Sequence, residues 1–270
     1  MHKNPRNKLS RRSFLASSLR AALFGTYALN SNARTQTPWS NWSGGLSCNP
    51  KGRYDIAAEN QLIELLRDTS GPIRPVGSGH SFSPLVPTDG HLIVIDQLSG
   101  VFDHDSQSLQ ATVGAGTRLG DLGAPLFDIG QGMLNLPDID RQTVAGATAT
   151  GTHGTGINFK SLSGYITGLR IITASGEVKD IDASHGDLFN AARVNLGALG
   201  IVTQIRMQNR KSFKLKKREW TAPTEELLQD FDTLAESHRQ FEIFPLVYSD
   251  YSLALAIDET EQPIGQTIAP

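Results

Sequence analysis

Three glycine-rich runs carry the residue types that could hold a large, charged small molecule. The first is Pro75-Val76-Gly77-Ser78-Gly79-His80-Ser81-Phe82. Glycines at 77 and 79 let successive backbone N–H groups converge on an anion, a nest able to hold a pyrophosphate. The run departs from the dinucleotide fingerprint, because Phe82 stands in the place of the third glycine and no helical pattern follows. A nucleotide bound here is therefore not bound in the Rossmann manner. The second run extends from Thr143 to Gly156, with Gly146, Gly151, Thr152, Gly154 and Thr155 among small residues and no formal charge. Such a stretch either lies against something large and flat or forms a close-packed buried helix followed by a turn. The third, Asn195-Leu196-Gly197-Ala198-Leu199-Gly200-Ile201, reads as a turn that feeds a core strand.

Other reactive side chains are sparse. The one cysteine, Cys48, excludes an internal disulfide or a thiolate cluster, and its surroundings give no reason for a lowered thiol pKa. His91, His104, His185 and His238 lack ligand spacing and are expected in turn-like or helical surface settings, so no metal site is predicted. Glu242 is expected at a solvent or packing position of a strand rather than in catalysis.

The elements that must position these loops alternate without a strict repeat. Apolar spacing at Ala58, Leu62, Leu65 and Leu66 predicts a helix over Ala57 to Arg67 capped by Asp55. Ile73 to Val76 and Leu92 to Ile95 are β-rich runs around the first loop, and Leu109 to Val113 alternates like a half-buried strand. Thr117 is placed to cap a helix that ends before Gly130. Ile166 to Ala174 and Val178 to Ile181 flank Ser175-Gly176 as a hairpin, Asp187 to Arg193 is a short helix, and Ile201 to Met207 a further strand. Residues 38–50 read as irregular. After Lys211 a charged stretch precedes a helix from Glu225 to Ser237, with Leu227, Leu228, Phe231 and Leu234 on one face, and then apolar runs at Phe241 to Tyr248 and Tyr251 to Ile257. This order predicts an α+β fold.

Composition narrows the function. With 25 Lys+Arg against 27 Asp+Glu, the net charge of -2 excludes the basic surplus that a nucleic-acid or anionic-membrane binder needs. A hydrophobic share of 39% supplies a packed core. Residues 1–33 read as a targeting segment: basic positions at Lys3, Arg6, Lys8, Arg11 and Arg12 precede an apolar run from Ala21 to Leu29, interrupted upstream by Arg20. Ser10-Arg11-Arg12-Ser13-Phe14-Leu15 resembles a twin-arginine export signal, a route for proteins already folded around a cofactor, and implies a periplasmic or extracytoplasmic location. Membrane contact is expected only through this segment, should it remain attached.

In their order and spacing, the three loops resemble the FAD-binding domain of the vanillyl-alcohol oxidase family, closest to sugar-1,4-lactone oxidases, which include gulonolactone and arabinonolactone oxidases, and to alditol oxidases. The resemblance spans roughly Trp39 to Asn209. It implies an α+β FAD domain of two subdomains over 38–210, and the beginning of a substrate cap domain over 211–270. By the same resemblance the cofactor is FAD, bound through Val76, Gly77, Ser78, Gly79, His80, Ser81, Phe82, Pro137, Thr143, Gly146, Gly151, Thr152, Gly154, Thr155 and Ile201. His80 matches a histidine that many relatives bond covalently to the flavin's dimethylbenzene edge. Some relatives carry another residue there and hold FAD without a bond. His153 is implied only to pack or hydrogen-bond beside the cofactor.

Pro137 matches a position where relatives that react with oxygen carry Gly or Pro, which implies oxygen as acceptor. The implied reaction is oxidation of a CH–OH group in a sugar lactone or polyol. Relatives continue further, and their acid, arginine and lysine constellation has no matching positions here, so no catalytic base is assigned. The alternative is a flavin-binding module without catalysis of its own, whose unfinished cap leaves Phe231, Phe241 and Phe244 exposed and is completed by another chain.

Overall fold

The computed structural model describes residues 34–35 and 37–265. The segment read as an export signal therefore lies outside the described residues.

Two sheets share one core. In the first, the strands Gly52–Asp55, His91–Val94 and Ile73–Val76 run parallel with His91–Val94 at the centre, and Arg34–Thr35 pairs antiparallel at one edge. The second is antiparallel and ordered Val178–Asp182, Ile166–Ile172, Ile201–Gln208, Gln110–Gly114, Val101–Asp105. Between them Ile56, Ile93 and Ile95 meet Val113, Ile171, Ile172 and Ile205, all at most 3% exposed. The helix Glu59–Asp68 turns Leu62 and Leu66 into this core, and its Glu59 carboxylate accepts from Gln204 Nε2 at 3.0 Å, tying helix to second sheet. This is the α+β class that the mixed pattern predicts. The hairpin across Ser175-Gly176 and the strands around the first loop also form as expected.

Several local expectations give way to tertiary pairing. Asp55 does not cap the first helix, because the parallel ladder with Val94 extends the strand through it; Ala58 holds the N-cap, and Gln61 Oε1 accepts from Ala57 N at 3.0 Å instead. Thr117 caps nothing: its hydroxyl donates to Gly114 O at 2.6 Å and accepts from Gly100 N at 2.9 Å. A 3₁₀ turn at Leu119–Asp121 and the helix Gly123–Asp128 follow. Residues read as irregular near the start include a small hairpin, Trp39–Ser40 against Ser47–Cys48.

A third sheet, ordered Leu215–Pro223, Tyr251–Glu259, Gln240–Pro245, follows the second. Its helical cover is two helices, Thr224–Gln229 and Phe231–Ser237, broken at Asp230. The break places Leu227, Phe231 and Leu234 on the sheet but leaves Leu228 57% exposed, off the face the sequence assigns it. His91 and His238 are not surface histidines of turns or helices. His91 lies in a sheet within hydrogen-bond reach of the Tyr54 hydroxyl (3.3 Å), and His238 Nδ1 lies 2.7 Å from Asp258.

Candidate functional site

The first loop leaves the end of the Ile73–Val76 strand and is pinned by its oxygens. Trp42 N donates to Gly79 O and Asn41 Nδ2 to Ser81 O, each at 3.1 Å, while Ser78 Oγ donates to Arg141 O at 2.6 Å. Among the described residues no acceptor meets the backbone N–H groups of Gly77, Ser78, Gly79, His80 or Ser81. These residues are only partly buried and line a cavity, so their amides are open to the oxygens of a ligand or to water. Both glycines are required by the geometry. A methyl at Gly77 would collide with the Thr143 hydroxyl, and Gly79, at φ +67°, would bring one within 3.2 Å of the Trp39 ring.

The second loop is a helix and then a turn. Thr143 Oγ1 accepts from Gly146 N at 3.2 Å and opens the helix Val144–Ala149, which packs Val144 and Ala147 into the core. Gly146 and Ala145 leave its other side free of bulk. The third loop is braced by Asn195, whose Oδ1 accepts from Gly197 N at 2.7 Å while Nδ2 donates to Ala192 O.

The three loops close around one cavity of about 170 Å³ that opens to solvent on one side. Val76, Gly77, Ser78, Gly79, His80, Ser81, Thr143 and Gly146 line it. A second cavity joins at His80 and is lined by Phe82, Pro137, Gly154 and Thr155, with His153 and the exposed Trp42. Trp42 stacks on His80 with centroids 5.1 Å apart and an interplanar angle of 18°. On the far side of the loop, His80 also borders a polar cavity with Arg53, Arg118 and Asp96, where burial pushes the Asp96 carboxyl above its usual range against the pull of both arginines. His80 is thus common to all three spaces.

Gly151, Thr152 and Ile201 line none of these cavities. Ile201 is 3% exposed within the core, and strand alternation gives the cavity to Gly200 and Val202 instead. Gly151 takes the left-handed turn that ends the second helix, and Thr152 accepts from Gln142 Nε2 at 3.2 Å. Sequence reasoning missed Gln142, Asn195, Leu85 and Val86 in the first cavity. Asn195 could have been found as a turn-bracing residue before a glycine, but the other three carry no local signal.

The free amides, the absence of bulk along the facing helix and the open-sided shape fit an extended dinucleotide whose charged centre lies on the loop. Comparison with known proteins agrees. Residues 55–182 match the family model described as FAD binding domain. The chain is 37% identical over 229 residues to L-gulono-1,4-lactone dehydrogenase of Mycobacterium tuberculosis, covering 83% of this chain and 53% of that protein. It is 30% identical over 241 residues to D-arabinono-1,4-lactone oxidase of Kluyveromyces lactis, with coverages of 86% and 46%. Among solved structures, a cholesterol oxidase from Brevibacterium sterolicum superposes with a TM-score of 0.74 at 19% identity, over 84% of this chain and 48% of that one. This chain spans about half the length of these relatives.

Proposed function

We propose that this chain, which carries an FAD-binding domain of the vanillyl-alcohol oxidase type, is the cofactor-holding part of an oxidoreductase that acts on CH–OH groups of a sugar lactone or alditol. The observation that carries this reading is the run of five acceptor-free amides from Gly77 to Ser81, in a chain whose relatives are named for lactone oxidation. FAD bound here would supply the hydride-accepting chemistry that no amino-acid side chain can. The amides of 77–81 would hold its pyrophosphate, and Thr143, Ala145 and Gly146 would let its length lie close to backbone.

The finer parts of the proposal rest on the second cavity. His80 lies where the two ligand cavities meet, its ring held by Trp42, so a covalent bond from a ring nitrogen to the flavin is sterically open to it. Pro137, which lines the same cavity, leaves little side-chain bulk in the way of an approaching oxygen molecule, which we propose as the acceptor. Export on the segment around Arg11 and Arg12 belongs to the same reading.

Acid precipitation of the purified protein tests it. Yellow colour in the pellet supports the covalent bond, and His80→Ala should move that colour to the supernatant. Colour that stays in the pellet after this substitution removes His80 from the linkage, and protein that is colourless and takes up no added FAD removes the whole reading.

A second reading has its own observation. Phe241 is buried and Phe231 partly buried against the third sheet, contrary to expectation, but Phe244, with Leu246, Val247 and Tyr248, stands exposed at the tip of that sheet, a surface that suits a flavin-binding module completed by another chain. Peroxide released from a lactone or polyol by the purified chain alone would exclude it.

A further inference from the structure

Two stretches of chain, 137–139 and 153–155, lie beside the second cavity and supply Pro137, Ile139, His153 and Gly154 to it. Behind them sits Asn135, only 3% exposed, and it uses both ends of its amide. Its Oδ1 accepts from Leu136 N at 3.0 Å, next to the first stretch, and its Nδ2 donates to Lys160 O at 3.4 Å, beyond the second. The two stretches approach closely at this point. A methyl on Gly154 would come within 2.5 Å of Asn135 Oδ1 and nearer still to Leu136 O. A shift of the Asn135 side chain therefore displaces both.

The third sheet reaches in to hold that side chain. Buried Gln240, at the start of the Gln240–Pro245 strand, donates from Nε2 to Asn135 Oδ1 at 3.0 Å. The residue before it, Arg239, donates to Leu134 O, with its guanidinium 4.3 Å from the Phe159 ring centroid and 4.8 Å from that of Phe213. Its own carbonyl oxygen packs on Gly156, where an added methyl would meet it at 2.6 Å. A carbonyl oxygen has two lone pairs, and Leu136 N–H and Gln240 Nε2 occupy both of those on Asn135. The backbone N–H can only donate, so Asn135 must present oxygen there, and Gln240 must present its NH₂. Neither side chain lines either ligand cavity, and no described residue of the third sheet lines the first one.

We propose that Gln240 is a positioning residue for the second cavity: acting through Asn135, it fixes 137–139 against 153–155 and so sets the space offered to the ring end of the ligand. The inference rests on the flavin reading for the identity of that ring, but not for the contact itself. Control of the site is then divided. The body alone shapes the first cavity, where the ADP half of FAD would lie, and the third sheet tunes the ring half. Losing Gln240 leaves a buried oxygen with one fewer donor and frees Asn135 to turn.

The test is Gln240→Met in the full chain, made free of flavin under riboflavin limitation and titrated separately with ADP and FAD. Methionine keeps the length of the side chain and removes the donor. FAD affinity should fall roughly fivefold, the worth of one hydrogen bond, while ADP affinity stays within about twofold of wild type. Equal weakening of both ligands would reduce Gln240 to a general structural contact, and unchanged FAD affinity would free the second cavity from it; either result overturns the proposal. A wild-type chain that binds neither ligand removes the flavin reading, and amide exchange on the ligand-free protein then decides. The Leu136 and Phe159 amides, hydrogen-bonded beside the two stretches, should exchange roughly fivefold faster in Gln240→Met, with Ile201–Gln208 unchanged. No change, or faster exchange in all of them, sinks it. Should Gln240→Met not fold, Gln240→Glu keeps the shape and, ionised at about pH 8, presents an acceptor to Asn135; the same split between FAD and ADP is required of it.

Discussion

The two-sheet body and the third sheet are built to different standards. In the body, side chains from both sheets and four helices merge in one buried cluster running from Ile56 to Met207. The third sheet and its two helices bury Leu227, Ala235, Phe241, Ala254, Leu255 and Ala256, half of them alanines, and leave other apolar residues in solvent. The body thus carries most of the apolar burial, whereas the third sheet leans on it through Arg239 and Gln240. Rigidity is concentrated where a cofactor would be gripped.

The largest expected effect probes that contrast directly. Ile205 is fully buried at the centre of the second sheet, and Ile205→Ala should cost roughly 3–4 kcal/mol of global stability in denaturant unfolding. Leu227→Ala removes a similar volume from the small cluster, but it should speed amide exchange mainly in Tyr251–Glu259 while amides of Ile201–Gln208 stay protected. Equal loss of protection in both strands would break the comparison and make the molecule one cooperative unit.

The next effect concerns the grip itself. Gly77→Ala places a methyl on the Thr143 hydroxyl, so either the loop shifts off its three pinned oxygens or the helix cap opens. FAD binding followed by flavin fluorescence should weaken at least about tenfold, equivalent to some 1.4 kcal/mol. The third sheet should keep its exchange rates. Wild-type affinity in the variant would show that the 77–81 amides do not hold the ligand.

How much of this was legible beforehand differs between the same two regions. In the body, alternation and glycine placement located the strands at 73–76, 166–172 and 201–208 and the loops that follow or join them, because burial on both sides leaves a plain sequence signature. The short helix from Asp187 was legible, but two helix starts were not. Asp55 and Thr117 are good cap residues by type, yet one is drawn into a parallel ladder and the other into a turn, contacts made with residues distant in the chain. At the site the same limit applies. The first loop announces itself through Gly77, Gly79 and His80, whereas Gln142 and Val86 enter the cavity only because the fold brings them there.

The smallest effect sharpens the comparison with two ion pairs of similar chemistry. Asp180 takes a bidentate pair from Arg170 on the body, at 2.8 and 2.9 Å, with its own side chain 68% exposed. Glu259 takes Arg210 and Arg239 where the third sheet meets the body, and although it is partly exposed itself, Arg239 is only 11% so. In both acids hydrogen bonds from arginine hold the carboxyl below its usual range, so each contribution is present at neutral pH and is lost as pH falls through the lowered folded value. Screening by water leaves the Asp180 pair about 0.3–0.5 kcal/mol. Removing the charge of Glu259 leaves a half-buried guanidinium with one fewer acceptor, so Glu259→Gln should cost more, about 1 kcal/mol. Denaturant midpoints of Asp180→Asn and Glu259→Gln at pH 7 decide the order. If Asp180→Asn costs the more, the ion pairs at the joint contribute no more than ordinary surface pairs, and the third sheet is held by packing on Phe159 and Phe213 instead of by charge.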